Sequence, residues 1–298
     1  MTILSFGRAV GVGLVSLALS GCLRLGLFAA NAPAYFGSYE RTADIAYGTD
    51  PQQRLDIYKP RHASSGTPIV VFWHGGRWSF GDKSEYRFVA AALCDLGYVV
   101  VLPNYRHYPQ VKLPGFMQDA AQAAVWAAGH AADFGADPKR LYFMGHSAGA
   151  QMAALLALDQ RYLTAAGKPD LPIAGVIGLS GPYDFLPLTE DDTRDMFGPP
   201  DLYPLSQPIN FARAGAAPML LLHGEADETV RPKNSRNLAA ALSAKGVLVT
   251  LRVYPKLKHA DTVAALSAVA RGRAPVVEEI RKFVAESGLA PARWVGGN

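Results

Sequence analysis

Short apolar runs alternate with longer stretches of mixed polarity along most of the chain, from about residue 53 onward. The apolar residues in each run follow one another without interruption, which is typical of parallel strands buried on both faces. The longer stretches carry apolar residues at helical spacing, so the pattern predicts an α/β sheet with helical crossovers. The predicted strands are residues 69–73, 98–102, 141–144, 176–179, 219–222 and 247–253. The predicted helices are residues 84–96, 116–134, 148–159, 233–245 and 275–286.

Residues 183–217 differ from the rest of the chain because they are rich in proline and poor in apolar runs. Such a long stretch between two strands predicts a small cap or a long loop over the sheet. No internal repeat or long linker divides the chain. We therefore expect one domain over residues 51–290, preceded by a tether over residues 22–50.

Composition narrows the classes of protein to consider. Half of the 298 residues are hydrophobic and 18% are charged, which is enough apolar material for a buried core. The formal net charge of +4 is spread without a block of like charges, so no surface for nucleic acid is expected. Two cysteines, Cys22 and Cys94, do not make a disulfide framework, and Cys94 is expected to be a buried thiol. The chain has no H-E-x-x-H or C-x-x-C motif, so neither a metal nor another cofactor is expected.

The first residues have the pattern of an export signal. Arg8 precedes an apolar run over residues 9–19, and this run is shorter than the ~20 residues that span a bilayer. The sequence Leu19-Ser20-Gly21-Cys22 then resembles the bacterial lipobox, in which cleavage precedes a cysteine that becomes acylated. The resemblance implies a lipoprotein signal peptide over residues 1–21 and a membrane anchor on Cys22, facing the periplasm or the exterior. An uncleaved apolar anchor and an ordinary secretory peptide are the alternatives.

The segment Gly145-His146-Ser147-Ala148-Gly149 joins a predicted strand to a predicted helix. A serine on a tight strand-to-helix turn, with glycines where side chains would clash, is typical of a nucleophile elbow. The positive end of the helix dipole also lies close to such a serine. The alternative is a glycine-rich turn that only starts a helix.

A serine becomes an effective nucleophile when a base removes its proton. Asp227 and His259 each come shortly after a predicted strand. Because loops at the carboxyl ends of parallel strands meet in one crevice, these two residues and Ser147 can come together there. Their order along the chain, Ser then Asp then His, is that of the α/β-hydrolases. Asp184, which also follows a predicted strand, is a second candidate for the acid.

His74-Gly75-Gly76 follows the predicted strand at residues 69–73. Glycines at this place let backbone N–H groups approach a reacting carbonyl group, and the amide of Ala148 adds another donor. The segment is therefore a candidate oxyanion hole. The four histidines His74, His107, His146 and His223 are expected to pack or hold backbone rather than transfer protons.

Together these motifs resemble the α/β-hydrolase esterase and lipase superfamily over about residues 55–284. The resemblance is to the branch with an H-G-G motif, which includes hormone-sensitive-lipase-like, feruloyl-esterase-like, isoprenylcysteine-methylesterase-like and kynurenine-formamidase-like proteins. It implies an α/β-hydrolase fold, in which helices flank a mostly parallel sheet and a small cap or long loop follows the sixth strand. The roles it implies are Ser147 as nucleophile, His259 as base, Asp227 as acid, and Gly75, Gly76 and Ala148 around the oxyanion. Arg77 departs from the pattern, since many relatives have a third glycine there.

The expected activity is hydrolysis of small carboxylic esters through an acyl-enzyme, without a cofactor. Short acyl chains are expected because residues 190–201 form no continuous amphipathic helix that could line a long apolar trough. Trp78, Phe80 and Tyr183 are candidate pocket residues. An amidase or formamidase using the same three residues and a non-catalytic envelope binding protein are the alternatives.

Overall fold

A single eight-stranded sheet organises residues 26–287, the part of the chain that the computed structural model describes. The spatial order is β1-β2-β4-β3-β5-β6-β7-β8, in which β3 to β8 are parallel and β2 runs antiparallel to both β1 and β4. The strands are β1 Tyr39–Ala46, β2 Arg54–Pro60, β3 Thr67–Trp73, β4 Val99–Pro103, β5 Ala136–His146, β6 Gly175–Leu179, β7 Met219–Gly224 and β8 Val249–Tyr254.

Helices cover both faces of this sheet, which explains the uninterrupted apolar runs. In β3, Ile69 and Val71 point into one apolar cluster, while Val70 and Phe72 point into the other. The α-helices that follow β1 are α1 Arg87–Asp95, α2 Gly115–Gly129, α3 Ala148–Leu158, α4 Gln160–Ala165, α5 Asp191–Met196, α6 Lys233–Ser243, α7 Asp261–Ala264 and α8 Val276–Ser287. The first cluster includes α2 and α3, and the second includes α1 and α8.

The predicted α/β-hydrolase architecture is confirmed, and the six predicted strands correspond to β3 to β8. The sheet extends upstream of residue 51, where the domain was predicted to begin, because it starts at Tyr39 and β1 pairs with β2. Strand β1 was not predicted because its sequence has no apolar run. It is an edge strand whose side chains are mostly exposed. In β2 the apolar run is interrupted by Asp56, a buried carboxylate that is paired with Lys83 and Arg41.

The segment between β6 and β7 forms the cap, after the sixth strand as predicted. It contains the short helix α5 and two 3-10 helices, Pro200–Ser206 and Pro208–Phe211. The Leu113 amide donates to the carbonyl of Met196, and the Tyr108 hydroxyl donates to Asp195 at 2.9 Å. The cap is thus attached to the loop that precedes α2. Within residues 26–287, none of the helices is long and apolar enough to cross a membrane.

Candidate active site

Ser147 occupies a sharp turn between the end of β5 and the start of α3. Its backbone has φ 56° and ψ −122°, a conformation that side-chain-bearing residues rarely adopt. A Cβ atom on Gly145 would lie 2.2 Å from the carbonyl oxygen of Gly149. A Cβ atom on Gly149 would lie 2.0 Å from the carbonyl oxygen of Trp73. Both glycines are therefore required for the strand and the helix to cross this closely.

Three side chains from separate loops form one continuous chain of hydrogen bonds. The Oγ atom of Ser147 lies 2.8 Å from Nε2 of His259, and Nδ1 of His259 lies 2.8 Å from Oδ2 of Asp227. Because the carboxylate can only accept, the imidazole carries a hydrogen on Nδ1. Its Nε2 atom is then free to accept the hydroxyl hydrogen of Ser147.

Both oxygens of the Asp227 carboxylate have hydrogen-bond donors close to them. The amides of Thr229 and Val230 donate to Oδ1, each over 2.9 Å, and Nε2 of His223 lies 3.2 Å from Oδ2. Burial would raise the pKa of Asp227, but hydrogen bonds from His223 and His259 outweigh burial and hold the pKa well below its usual range. The group is therefore ionised and held in one orientation at neutral pH.

The second candidate for the acid takes part in a different set of contacts. The carboxylate of Asp184 accepts a hydrogen bond from Nδ2 of Asn237 at 2.6 Å. The backbone amide of Asp184 donates to Oδ1 of Asn234. The side chain that the structure brings to His259 is that of Asp227.

The glycine loop after β3 lies directly against the serine turn. A Cβ atom on Gly75 would come within 3.2 Å of the Ser147 Cβ atom. Gly76 has φ 125°, and a Cβ atom there would lie 1.8 Å from the carbonyl oxygen of Phe80. Only glycine therefore fits the Gly76 position. The loop brings Gly75 next to Ser147, while Ala148 opens the helix on the other side of the serine.

Arg77 joins the glycine loop to the cap. Its Nη2 atom lies 3.0 and 3.2 Å from the two carboxylate oxygens of Asp192 in α5. Both side chains are about half exposed, so the pair contributes little to stability, about 0–1 kcal/mol. The departure from a third glycine thus places an ion pair between the loop and the cap.

His74 holds the glycine loop by a hydrogen bond to its backbone. Its Nδ1 atom donates to the carbonyl oxygen of Gly75 at 2.7 Å, and its ring stacks on Tyr105 with centroids 4.6 Å apart. Burial lowers the pKa of His74 to about 4, so the ring is neutral at physiological pH. His107 packs edge-on against both aromatic rings. Neither histidine is hydrogen-bonded to the serine.

His223 contacts a backbone carbonyl group, as expected, and also contacts Ser235 and Asp227, which the sequence did not predict. Its Nδ1 atom lies 2.7 Å from the hydroxyl of Ser235. Its Nε2 atom lies 2.8 Å from the carbonyl oxygen of Val230 and 3.2 Å from Oδ2 of Asp227. The ring is completely buried and holds the loop that carries Asp227. Its only sequence signal is its position at the end of β7, four residues before Asp227.

A cavity of about 380 Å³, here called the main cavity, opens beside Ser147. Its lining is mixed in character. The apolar lining residues include Trp78, Phe185, Leu186, Pro187 and Leu188, and the polar and charged ones include Glu190, Thr229, Arg231 and Lys233.

Two of the three aromatic residues predicted for the pocket lie elsewhere. Phe80 is 54% exposed and does not line the main cavity. Tyr183 is completely buried, and its hydroxyl would lie 2.0 Å from a Cβ atom on Gly178, so the ring packs against β6. Trp78 lines the cavity, and its indole N–H donates to Oε1 of Gln151 at 3.1 Å. Phe185, which the sequence analysis missed, takes the place expected of Phe80 and Tyr183.

The remaining candidate residues lie away from this cavity. Cys94 is a buried free thiol on α1, and burial raises its pKa. Cys22, the predicted lipidation site, and the predicted signal peptide over residues 1–21 lie outside the described residues. Among residues 26–287, no group of three or more His, Cys, Asp or Glu side chains is placed to hold a metal ion.

The sheet topology and the serine turn define an α/β-hydrolase of the esterase and lipase superfamily. The chain belongs to the BD-FAE family, whose profile matches residues 55–242. It is 29% identical over 281 residues to isoprenylcysteine alpha-carbonyl methylesterase ICME of Arabidopsis thaliana, covering 85% of this chain and 66% of that protein. It is 28% identical over 279 residues to esterase LipQ of Mycobacterium tuberculosis, covering 85% of this chain and 65% of that protein. The chain therefore spans just under two thirds of the length of these relatives.

Solved structures share the same fold. A truncated carbohydrate esterase from gut microbiota superposes with a TM-score of 0.75 at 20% identity, covering 85% of this chain and 98% of the other. Esterase 2 of Thermogutta terrifontis superposes with a TM-score of 0.70 at 24% identity, covering 86% of this chain and 97% of the other. These likenesses extend across nearly the whole of both solved chains.

Proposed function

We propose that this protein is a serine hydrolase that cleaves carboxylic esters through an acyl-enzyme. The observation that carries the proposal is the hydrogen-bonded chain from Ser147 through His259 to Asp227, which opens on the main cavity. Relatives whose names are esterase and methylesterase support the same chemistry.

The proposed reaction has two halves. The Oγ atom of Ser147 attacks the ester carbonyl carbon while Nε2 of His259 accepts its proton, and Asp227 stabilises the imidazolium that forms. The tetrahedral intermediate collapses, the C–O bond to the alcohol breaks, and the imidazolium returns its proton to the departing alcohol. Water then attacks the acyl-enzyme by the same route, which releases the carboxylic acid and restores Ser147.

In both halves the negative charge develops on the former carbonyl oxygen. In the proposed arrangement, the backbone amides of Gly75, Gly76 and Ala148 surround that oxygen. Fixed donors of this kind each contribute about 3–4 kcal/mol of transition-state stabilisation, because they need no reorganisation during the reaction. The closeness of Gly75 to the Ser147 side chain supports this assignment.

The proposed substrates are esters of short acids, from acetyl to hexanoyl. The large rings of Trp78 and Phe185 line the main cavity, and we infer that they restrict the length of the acyl chain. The cap also provides no long helix that could form the wall of a trough, since α5 spans only six residues.

Labelling with a fluorophosphonate probe tests the proposal, because the probe reacts with an activated serine. The wild-type protein should be labelled and should hydrolyse p-nitrophenyl butyrate, while Ser147→Ala should do neither. Aryl amides of the same acids, run in parallel, measure the preference for esters over amides. A folded wild-type protein that takes up no label and cleaves no ester would contradict the proposal.

We also propose that the protein is a lipoprotein of the bacterial envelope, anchored through Cys22. The support is the apolar run at residues 9–19 followed by Leu19-Ser20-Gly21-Cys22. An acylated cysteine would keep the enzyme at a membrane surface, since two or more acyl chains give stable anchoring.

A further inference from the structure

A second cavity of about 270 Å³ lies between α2, α4 and the cap. It is mostly apolar, and nothing in the proposed reaction uses it. Its lining includes Tyr162, Ala165, Phe197, Leu202 and Leu205.

The ring of Phe197 lies between this second cavity and two residues that line the main cavity. Phe197 lines the second cavity and is only 1% exposed. Its ring centroid lies 5.0 Å from that of Trp78 and 5.6 Å from that of Phe185, and both of these residues line the main cavity. Phe197 therefore touches the wall of the main cavity with one side and borders the second cavity with the other.

The rings of Trp78 and Phe197 are held in place by different kinds of contact. Trp78 is fixed by its hydrogen bond to Gln151, which itself donates to the carbonyl oxygen of Ser206 at 2.7 Å. The ring of Phe197, which directly follows α5, makes only apolar and aromatic contacts. Shortening the Phe197 side chain therefore leaves the hydrogen bonds that anchor Trp78 intact.

We propose that Phe197 sets the length of the acyl chain that the enzyme accepts, by closing an apolar path from the main cavity into the second cavity. This inference rests on the proposed ester hydrolysis. With Phe197 in place, the acyl chain ends against Trp78 and Phe185. With a small residue there, the ring of Phe185, which packs against the ring of Phe197, moves into the vacated space, and the acyl chain continues past it into the second cavity. At about 30 Å³ per methylene group, close to the volume of one water molecule, that cavity has room for at most about nine methylene groups.

The test is the profile of kcat/KM against acyl length, from acetyl to dodecanoyl p-nitrophenyl esters. Each further methylene group that becomes buried should raise kcat/KM by up to about fourfold. We expect the wild type to be fastest between acetyl and hexanoyl. Phe197→Ala should move the maximum to octanoyl or decanoyl and raise the decanoyl to butyryl ratio at least tenfold. Leu205→Ala is the matched control, because it enlarges the second cavity without opening the path and should keep the wild-type profile.

If Phe197→Ala does not fold, the decanoyl to butyryl ratio of kcat/KM can be measured with Phe197→Leu and Phe197→Val. These two variants leave less of the buried volume empty than Phe197→Ala does. A folded Phe197 variant that cleaves the butyryl ester at near wild-type rate, yet keeps the wild-type profile, would overturn the role of Phe197. A wild-type protein that cleaves no ester of any length would instead overturn the proposed ester hydrolysis, and with it this inference. The two failures are therefore distinguishable in one data set.

Discussion

The imidazole of His146 donates a hydrogen bond from Nε2 to the backbone carbonyl oxygen of His259, over 3.1 Å. Burial lowers the pKa of His146 to about 3, so the ring is neutral and carries its hydrogen on Nε2. The residue directly before the serine thus holds the backbone of the histidine that pairs with the serine. This contact links two loops that are far apart in sequence.

If His146 positions His259, its removal should slow turnover more than it weakens binding. His146→Leu is expected to lower kcat about fivefold, since one lost hydrogen bond is worth about 1 kcal/mol. The KM for p-nitrophenyl butyrate should change less than threefold, and His146→Gln, which retains an N–H donor, should recover part of the rate. Equal losses in the leucine and glutamine variants would argue that the ring only fills space.

The assignment of the acid can be decided with two carboxylate variants. Asp227→Asn should fold but lose about 10⁴-fold in kcat, because the amide cannot hold the same imidazole tautomer or stabilise its charge. Asp184→Asn is the matched control and should remain within about twofold of wild type, since Asp184 contacts Asn237 instead of His259. Circular dichroism establishes that both variants are folded. A larger loss at Asp184 would reverse the assignment.

Removal of either partner in the proton transfer should abolish most of the activity. Ser147→Ala and His259→Ala should each reduce the rate by about 10⁴- to 10⁶-fold, and the double variant should be little slower than either single variant. Such non-additivity is expected because the two residues act as one unit. Additive losses in the double variant, or a tenth of the wild-type rate in Ser147→Ala, would contradict the mechanism.

The middle of the fold could be predicted because most of its strands are buried on both faces. Their apolar runs stand out from the sequence, and the ends of these strands locate Ser147, Asp227 and His259 at one edge. The edge strand β1 could not be found in this way, since its side chains are mostly exposed. Its place in the sheet depends on pairing with β2, which the local pattern does not encode.

The pocket was harder to predict because its walls come from the cap. Proximity to a motif suggested Phe80 and Tyr183, but Gly178 and Gly181 leave space for the ring of Tyr183 away from the cavity. Phe185 and Phe197 meet Trp78 only because the cap folds back over the sheet. No spacing rule in the sequence relates these residues to one another.

Membrane attachment is expected to depend on the thiol of Cys22. When the full chain is expressed in a Gram-negative host with labelled palmitate, the wild-type protein should take up label and partition with membranes. Cys22→Ser should take up none, because it lacks the sulfur to which the lipid is attached. Cys94→Ser is a suitable control, since Cys94 is buried in the fold and should not affect labelling. Unlabelled wild-type protein secreted in soluble form would contradict the lipoprotein proposal.

Stability is expected to fall when the pH drops below about 6.5, because burial in the folded protein strongly lowers the pKa of His74 and of His146. The folded protein lowers the pKa of His74 from 6.5 to about 4 and that of His146 from 6.5 to about 3. Between these values the unfolded chain binds protons at both sites while the folded chain does not, so acid favours unfolding. At about 1.4 kcal/mol per pKa unit, each histidine should cost up to ~3 kcal/mol of unfolding free energy by pH 4.

Urea unfolding at pH 7, 6, 5 and 4.5 measures this dependence directly. The lowered pKa of Asp227 acts in the same direction but only at lower pH, because its stabilising effect is lost as the pH falls below the 3.8 of an ordinary aspartate. The histidines therefore dominate the decline between pH 6.5 and 4.5. His146→Gln should flatten the decline because it removes one of the two buried sites, whereas His62→Gln, on an exposed side chain, should keep the wild-type slope. A wild-type midpoint that stays constant from pH 7 to 4.5 would show that these rings do not resist protonation in the folded state.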